Sequence, residues 1–222
     1  MRNPVIRPFA GFKLLAFGVI ALTGGCHMPG LKGNGHAASE NRSVTDFALV
    51  EAGGVFNIEW TSGPAAVRIT TDQNLLQHIQ TKIAGKTLHL EWDEQLRPTD
   101  GIKVKLASNA LNGVQLNGAV RFAAAKLSGP SFTLEGNGAT RMALDGAVKE
   151  LTASLNGASR LDAENLQTQT CEIAISGAGR ADVTASEVLK VAISGAGKVT
   201  YSGTPKTVAK SISGAGSIKQ RP

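Results

Sequence analysis

Ile175-Ser176-Gly177-Ala178-Gly179-Arg180 is one copy of a pattern that returns throughout the C-terminal half of this 222-residue chain. Aligned on the polar residue before the first glycine, the copies fall at Asn117, Asn137, Asn156, Ser176, Ser194 and Ser213, in steps of 20, 19, 20, 18 and 19 residues. Each is followed by Gly-Ala. A near-constant period of this size marks a solenoid, in which one repeat cannot bury its apolar face alone and must stack on its neighbours. The residues between corners settle which kind. Before each corner the chain alternates with period two, as in Leu151/Ala153/Leu155, Cys171/Ile173/Ile175 and Leu189/Val191/Ile193, and it does so again afterwards in Val120/Phe122, Leu161/Ala163, Ala181/Val183 and Val199/Tyr201. Period two means strands, and no repeat has room for a helix. The expectation is an all-β fold: a parallel β-helix of about 19–20-residue coils bent at a glycine-rich corner.

Alternation from Ile175 to Val183 puts Gly177 and Gly179 inward and Ser176, Ala178, Arg180 and Asp182 outward. Stacking then superposes the Asn/Asn/Asn/Ser/Ser/Ser column, a candidate hydrogen-bonded ladder. Four residues beyond each polar position stand Arg121, Arg141, Arg160, Arg180 and Lys198, with Ser217 ending the series. At the spacing of paired strands these cations form one outer row. Like charges so close need solvent, acidic neighbours or an anionic ligand. Asp162 and Asp182, two residues beyond Arg160 and Arg180, are candidate partners. The row reads either as an edge-protecting, solubilising face or as an anion-binding stripe for an acidic glycan, lipopolysaccharide or another envelope component.

The N-terminus carries Arg2, Arg7 and Lys13, an apolar run from Leu14 to Leu22, and then Thr23-Gly24-Gly25-Cys26. This is the layout of an export signal, too short an apolar run to span a bilayer comfortably. Cys26 after small residues resembles the lipobox of bacterial lipoproteins, in which the cysteine becomes the lipidated first residue of the mature chain and its link to the membrane. Thr23 stands where that motif most often has leucine; the alternative is an ordinary cleaved signal, cut after Gly25 or near Ala37 or Ala38. His27 after the cysteine suggests, by analogy with enteric bacteria, sorting to the outer membrane, facing periplasm or cell surface; without lipidation the protein is secreted. Residues 1–25 are therefore read as signal peptide and 26–44, polar and glycine-rich, as a flexible tether reaching roughly 20 to 25 Å.

Residues 45–220 are read as the folded domain, with looser strands and a short helix over 45–108 and the repeats over 109–220. Phe56/Ile58/Trp60, Val67/Ile69, Leu88/Leu90/Trp92 and Ile102/Val104/Leu106 alternate as strands. Asp72 before Leu75, Leu76 and Ile79 reads as the N-cap of a short helix, with Gly85 ending the connection to the next strand. The loop from Asp93 to Asp100 gathers Asp93, Glu94 and Asp100 around Arg97, either a cation site or a solvated loop, and its spacing fits no calcium-loop template.

Thr71-Asp72-Gln73-Asn74-Leu75-Leu76 leading into Ile79, followed by repeated Leu/Ile-(Asn/Ser)-Gly-Ala corners, resembles the bacterial head GIN domain family of auto-transporter adhesins. The resemblance covers about 47–218 and implies an exported all-β solenoid, often with a lipoprotein signal, and no catalytic residues.

Composition fits that expectation. There are 26 glycines and only 5% aromatic residues in a chain that is 42% hydrophobic, so the core has small side chains. Without Arg2, Arg7 and Lys13 the balance is 20 basic to 17 acidic residues, or +3, which with no recognition motif argues against nucleic acid as a partner. Cys171 lies on an inward strand phase without a disulfide partner once Cys26 is an anchor. The histidines, His27, His36, His78 and His89, lack metal-ligand spacing, so no catalytic, cofactor or metal residue is assigned. The expected function is a non-catalytic envelope protein for adhesion, binding or architecture, able to oligomerise through its solenoid ends. The alternative is a carbohydrate-active enzyme of parallel β-helix type acting on an acidic polysaccharide.

Overall fold

A computed structural model describes residues 30–221, and the signal segment with Cys26 lies outside the described residues. In chain order the N-terminal half forms β1 (Leu31–Lys32), β2 (Ala37–Arg42), β3 (Leu49–Gly54), β4 (Asn57–Ser62), β5 (Ala66–Asp72), a 3-10 helix (Gln73–His78), β6 (Ile79–Ala84), β7 (Thr87–Trp92), β8 (Leu96–Arg97) and β9 (Lys103–Ser108). The repeats form β10 (Gly113–Gly118), β11 (Arg121–Gly138), β12 (Arg141–Gly157), β13 (Arg160–Gly177), β14 (Arg180–Gly195), β15 (Lys198–Ser202), β16 (Thr207–Ser213) and β17 (Ser217–Gln220).

The long strands β11 to β14 each bend midway at a bulge, so every coil has two faces and one tight corner. On one face β3, β10, the second halves of β11 to β14, and β16 stack in parallel; on the other, β4, the first halves of β11 to β14, β15 and β17 do so. Side chains of alternating residues meet between the faces. One inward column runs Val114, Leu134, Ala153, Ile173, Val191, and the opposite face supplies Ile58, Phe122, Met142, Leu161, Ala181 and Val199, all buried. Each fully buried Leu, Ile or Phe contributes roughly 1.5–3 kcal/mol, so the many thin layers add up to a continuous core.

The corners explain the glycines. Asn117, Asn137, Asn156, Ser176, Ser194 and Ser213 pair in consecutive registers, as the repeat spacing predicts. The glycine after each has positive φ, for example +116° at Gly177, where an added Cβ would lie 2.7 Å from the carbonyl oxygen of Gly157 in the previous coil. Only glycine combines that conformation with so close an approach. Gly177 is therefore half-buried at the bend rather than inward, whereas Gly179 is buried as expected. The ladder exists across the three asparagines: Asn137 Nδ2 donates to Asn117 Oδ1 at 2.9 Å and Asn156 Nδ2 to Asn137 Oδ1 at 2.8 Å.

Two expectations are corrected. The flexible tether over 26–44 does not hold from Gly30 onward. β1 pairs with β8, and β2 pairs antiparallel with β5 as an edge strand. Its sequence AASENR lacks an apolar alternation because little of it is buried, and polar contacts hold it instead: Arg42 donates to the carbonyls of Ile79 and Leu76 and to Thr81 Oγ1. Second, the looser N-terminal strands include the first coil of the solenoid. Gly53 and Gly54 pair with Asn117 and Gly118, and β4 stacks under β11. The stretch β5 to β9 is an insertion between the first coil and the second, which hides the period. Its antiparallel pairs β6–β7 and β5–β9 cover the N-terminal end of the stack. The short helix stands where expected, with Asp72 at its N-cap position; it is a 3-10 helix that stops before Ile79, and the Asp72 side chain makes no cap hydrogen bond. Gly85 lies in the β6–β7 hairpin turn with φ +62°.

Candidate functional site

The outer cation row is present as a physical column. Arg121, Arg141, Arg160, Arg180 and Lys198 are paired in register from coil to coil, and all five are exposed. At strand spacing the row is roughly 19 Å long. The same register continues to Ser217 at one end and to Asn57 and Lys103 at the other. None of the five makes an ion pair among the described residues. Unit charges about 5 Å apart in water repel by roughly 1 kcal/mol per neighbouring pair before salt screening. The row is thus a standing electrostatic cost that an anion relieves.

Asp162 and Asp182 do stand in the adjacent outward column, but Asp182 takes a different partner. Arg221, near the C-terminus, lies 3.3 Å from Asp182 and also contacts Glu164. That hydrogen bond from Arg221 holds the Glu164 carboxyl below its ordinary range. The basic row is left free as a result.

The column beside the row reads Lys105, Glu59, Ala123, Ala143, Asp162, Asp182 and Thr200. The two alanines sink the surface between longer neighbours. A depression of about 400 Å³ opens there, lined by Ala123, Ala125, Ala143 and the carboxylates of Glu59, Asp145 and Asp162. A second of about 280 Å³ shares Ala123, Ala143 and Asp162 and is bounded by Arg121, Arg141 and Arg160. Sequence reasoning took the row and missed this floor. The signal was there in the repeat alignment, where alanine replaces aspartate in two successive coils.

Elsewhere the expected residues scatter. His78 Nδ1 lies 2.9 Å from Glu94 Oε1 and 3.2 Å from Asp93 Oδ1, and these are the three potential metal donors that come together among the described residues. An imidazole N–H donated to either carboxylate accounts for that geometry without an ion. Asp100 turns away to Lys103, 3.6 Å off, so the 93–100 loop does not converge as a unit. His89 pairs with Glu51 at 3.1 Å across β7 and β3. Cys171 is buried and unpaired, and burial pushes its thiol up to about 12, leaving it inert at neutral pH. Among the described residues no helix is long and apolar enough to cross a membrane.

A family model described as "Putative auto-transporter adhesin, head GIN domain" matches residues 46–205. Solved structures with the same fold include a putative adhesin from Bacteroides fragilis, with a TM-score of 0.67 at 23% identity over 86% of this chain and all of that one. A putative lipid binding protein from Parabacteroides distasonis superposes with a TM-score of 0.52, also at 23% identity, over 87% of this chain and all of its own. A putative adhesin from Parabacteroides merdae gives 0.50 at 18% identity over 86% and 99%. No curated protein sequence matches the chain.

Proposed function

Because the chain belongs to the head GIN domain family of putative auto-transporter adhesins, we propose that it is an exported, lipid-anchored, non-catalytic protein of the bacterial envelope that binds acidic polymers. Membership in the family supports the adhesion-type reading and an envelope or extracellular place. The observation that carries the binding is the row from Arg121 to Lys198, one unpaired cation per coil. A flexible polyanion laid along it gains several weak contacts at once, so affinity falls steeply with salt and with each cation removed. Cys26 supplies the anchor, with outer-membrane placement following from His27.

The test is a binding screen of the soluble chain without its anchor, residues 27–222, against acidic glycans and lipopolysaccharide at low and high salt. Replacing Arg141, Arg160 and Arg180 together by serine weakens binding at least tenfold and does not lower the melting temperature, since it also relieves the repulsion within the row. If the triple variant binds every polyanion as well as wild type, or neither binds at low salt, the row serves only solubility. Release of new reducing ends from a bound glycan would overturn the non-catalytic part. For the anchor, Cys26→Ser abolishes palmitate labelling; a labelled variant that stays in the membrane fraction rules lipidation at Cys26 out.

A further inference from the structure

The row alone does not say what kind of polyanion it takes, and the charges across from it do. Glu59 and Asp162 occupy the same outward column with only Ala123 and Ala143 between them, so they stand three strand intervals apart, roughly 14 Å. Arg121, Arg141 and Arg160 form one long side of the space between, and Asp145 with Asn165 lies on the other. The floor is two alanine side chains, the only positions of this column among those coils without a charged or longer side chain. Glu59 keeps a long contact of 3.9 Å to Lys105, and Asp162 feels the Arg221 charge only at longer range, so both line the trough with acceptor oxygens still available.

A bare polyanion suits such a place poorly. Three carboxylates around the trough repel it, and they offer acceptors to which it has nothing to donate. A ligand carrying acid groups on one edge and hydroxyl or amino donors on the other satisfies both walls. Carboxylates fit the forked guanidinium donors, hydroxyls fit the carboxylate acceptors, and the C–H faces of sugar rings fit methyl groups on the floor.

We infer that the trough over Ala123 and Ala143 is a binding site for a short segment of acidic glycan, its acid groups held by Arg121, Arg141 and Arg160 and its hydroxyls by Glu59 and Asp162. This rests on the polymer-binding function proposed above and narrows it from any polyanion to a hydroxyl-bearing one. The remaining cations, Arg180 and Lys198, extend the grip on a longer chain beyond the trough.

Substitutions at Ala143 and Asp162 in the same soluble chain separate the trough from the row. Ala143→Leu fills the floor without altering any charge, and weakens binding of an oligogalacturonate at least tenfold while leaving binding of inorganic polyphosphate, which rides on the row, within twofold. Ala143→Gln, polar and of similar bulk, gives the same result if leucine at the surface lowers solubility. Asp162→Asn removes a repelling charge, so polyphosphate binds more tightly, yet it also turns one of the two acceptor oxygens into an amide donor and leaves the other a weaker, neutral acceptor, so oligogalacturonate binds several-fold more weakly. Opposite signs for the two probes are the signature. If Ala143→Leu and Asp162→Asn shift both probes in the same direction, or neither variant shifts the glycan, the trough is not the site even though the row binds. If wild type binds neither probe at low salt, the polymer-binding reading and the trough fall together.

Discussion

The guanidinium of Arg221 reaches back 39 residues to the carboxylate of Asp182, at 3.3 Å, and also engages Glu164. The final coil is thus tied to β14 and β13 by a single side chain after the last strand. This matters because an end coil of a solenoid has a neighbour on one side only.

Arg221→Ala should therefore loosen the C-terminal coil selectively. Protease cleavage within 203–221 becomes faster, and the melting temperature drops slightly at neutral pH. Glu164 has its folded pKa depressed by the hydrogen bond from Arg221. Its stabilising contribution is present above the unfolded carboxylate pKa and is lost as pH falls through the lower folded value. The difference between wild type and variant accordingly closes below about pH 4. A difference that stays constant from pH 7 to pH 3 shows that the contact contributes nothing through charge.

Asp72 is the matching point at the other end. Its buried carboxylate accepts from Gly35 N at 2.7 Å, from Thr99 N at 2.8 Å and from Thr99 Oγ1 at 2.9 Å. The bonds to Thr99 and Gly35 outweigh burial and hold its pKa low. Gly33 packs so closely that a Cβ there would meet this carboxylate. Asp72→Ala leaves buried donors unmatched and costs about 2–3 kcal/mol in urea unfolding, with new protease sensitivity over 30–44. Unchanged protection of that segment counts against the role of Asp72 as its anchor.

The strand phase is tested by neighbours of opposite exposure. Ile173 is buried between Ala153 and Val191, whereas Glu172 faces solvent 3.7 Å from Lys190. Ile173→Asp places an unpaired carboxylate in a dry core and costs at least about 4 kcal/mol, enough to prevent cooperative folding. Glu172→Lys loses a surface ion pair worth about 0–1 kcal/mol and adds a mild repulsion. Comparable melting temperatures for the two would mean that the assigned phase is wrong.

The solenoid was legible because its corners impose a chemical requirement on every coil: positive φ beneath a neighbouring carbonyl at Gly118, Gly138, Gly157, Gly177, Gly195 and Gly214. The cation row followed from the same alignment. Gly54 has positive φ too, but beneath the Trp92 ring in place of a carbonyl; the inserted strands separate Gly53-Gly54 from the next copy and it carries no Asn or Ser, so the period hid it. Residues 30–42 escaped for another reason. An edge strand held by Arg42 and by backbone pairing needs no apolar alternation, and its composition then looks like a linker. The partner of Asp182 was illegible because local spacing favoured Arg180, while the actual donor, Arg221, arrives from the far end of the chain.

Lys210 bears on self-association. It pairs in register with Val191, in the column where the earlier coils place Val114, Leu134, Ala153 and Ile173, so a cation stands where the stack predicts a core side chain. Its ammonium lies 5.4 Å from the Tyr201 ring centre, a cation–π contact that lets it sit beside apolar surface. On either side Val208 and Ile212 are 37% and 44% exposed, because no further coil covers them. A parallel edge carrying three apolar residues along one strand face would invite another strand, and an inward charge at its centre is a recognised way to prevent that. Lys210→Val should therefore raise concentration-dependent association, measured by sedimentation velocity, while the wild type shows no association through this end. Lys210→Arg keeps the charge and should behave like wild type. If Lys210→Val leaves the sedimentation coefficient unchanged up to high protein concentration, the end is blocked by something other than Lys210.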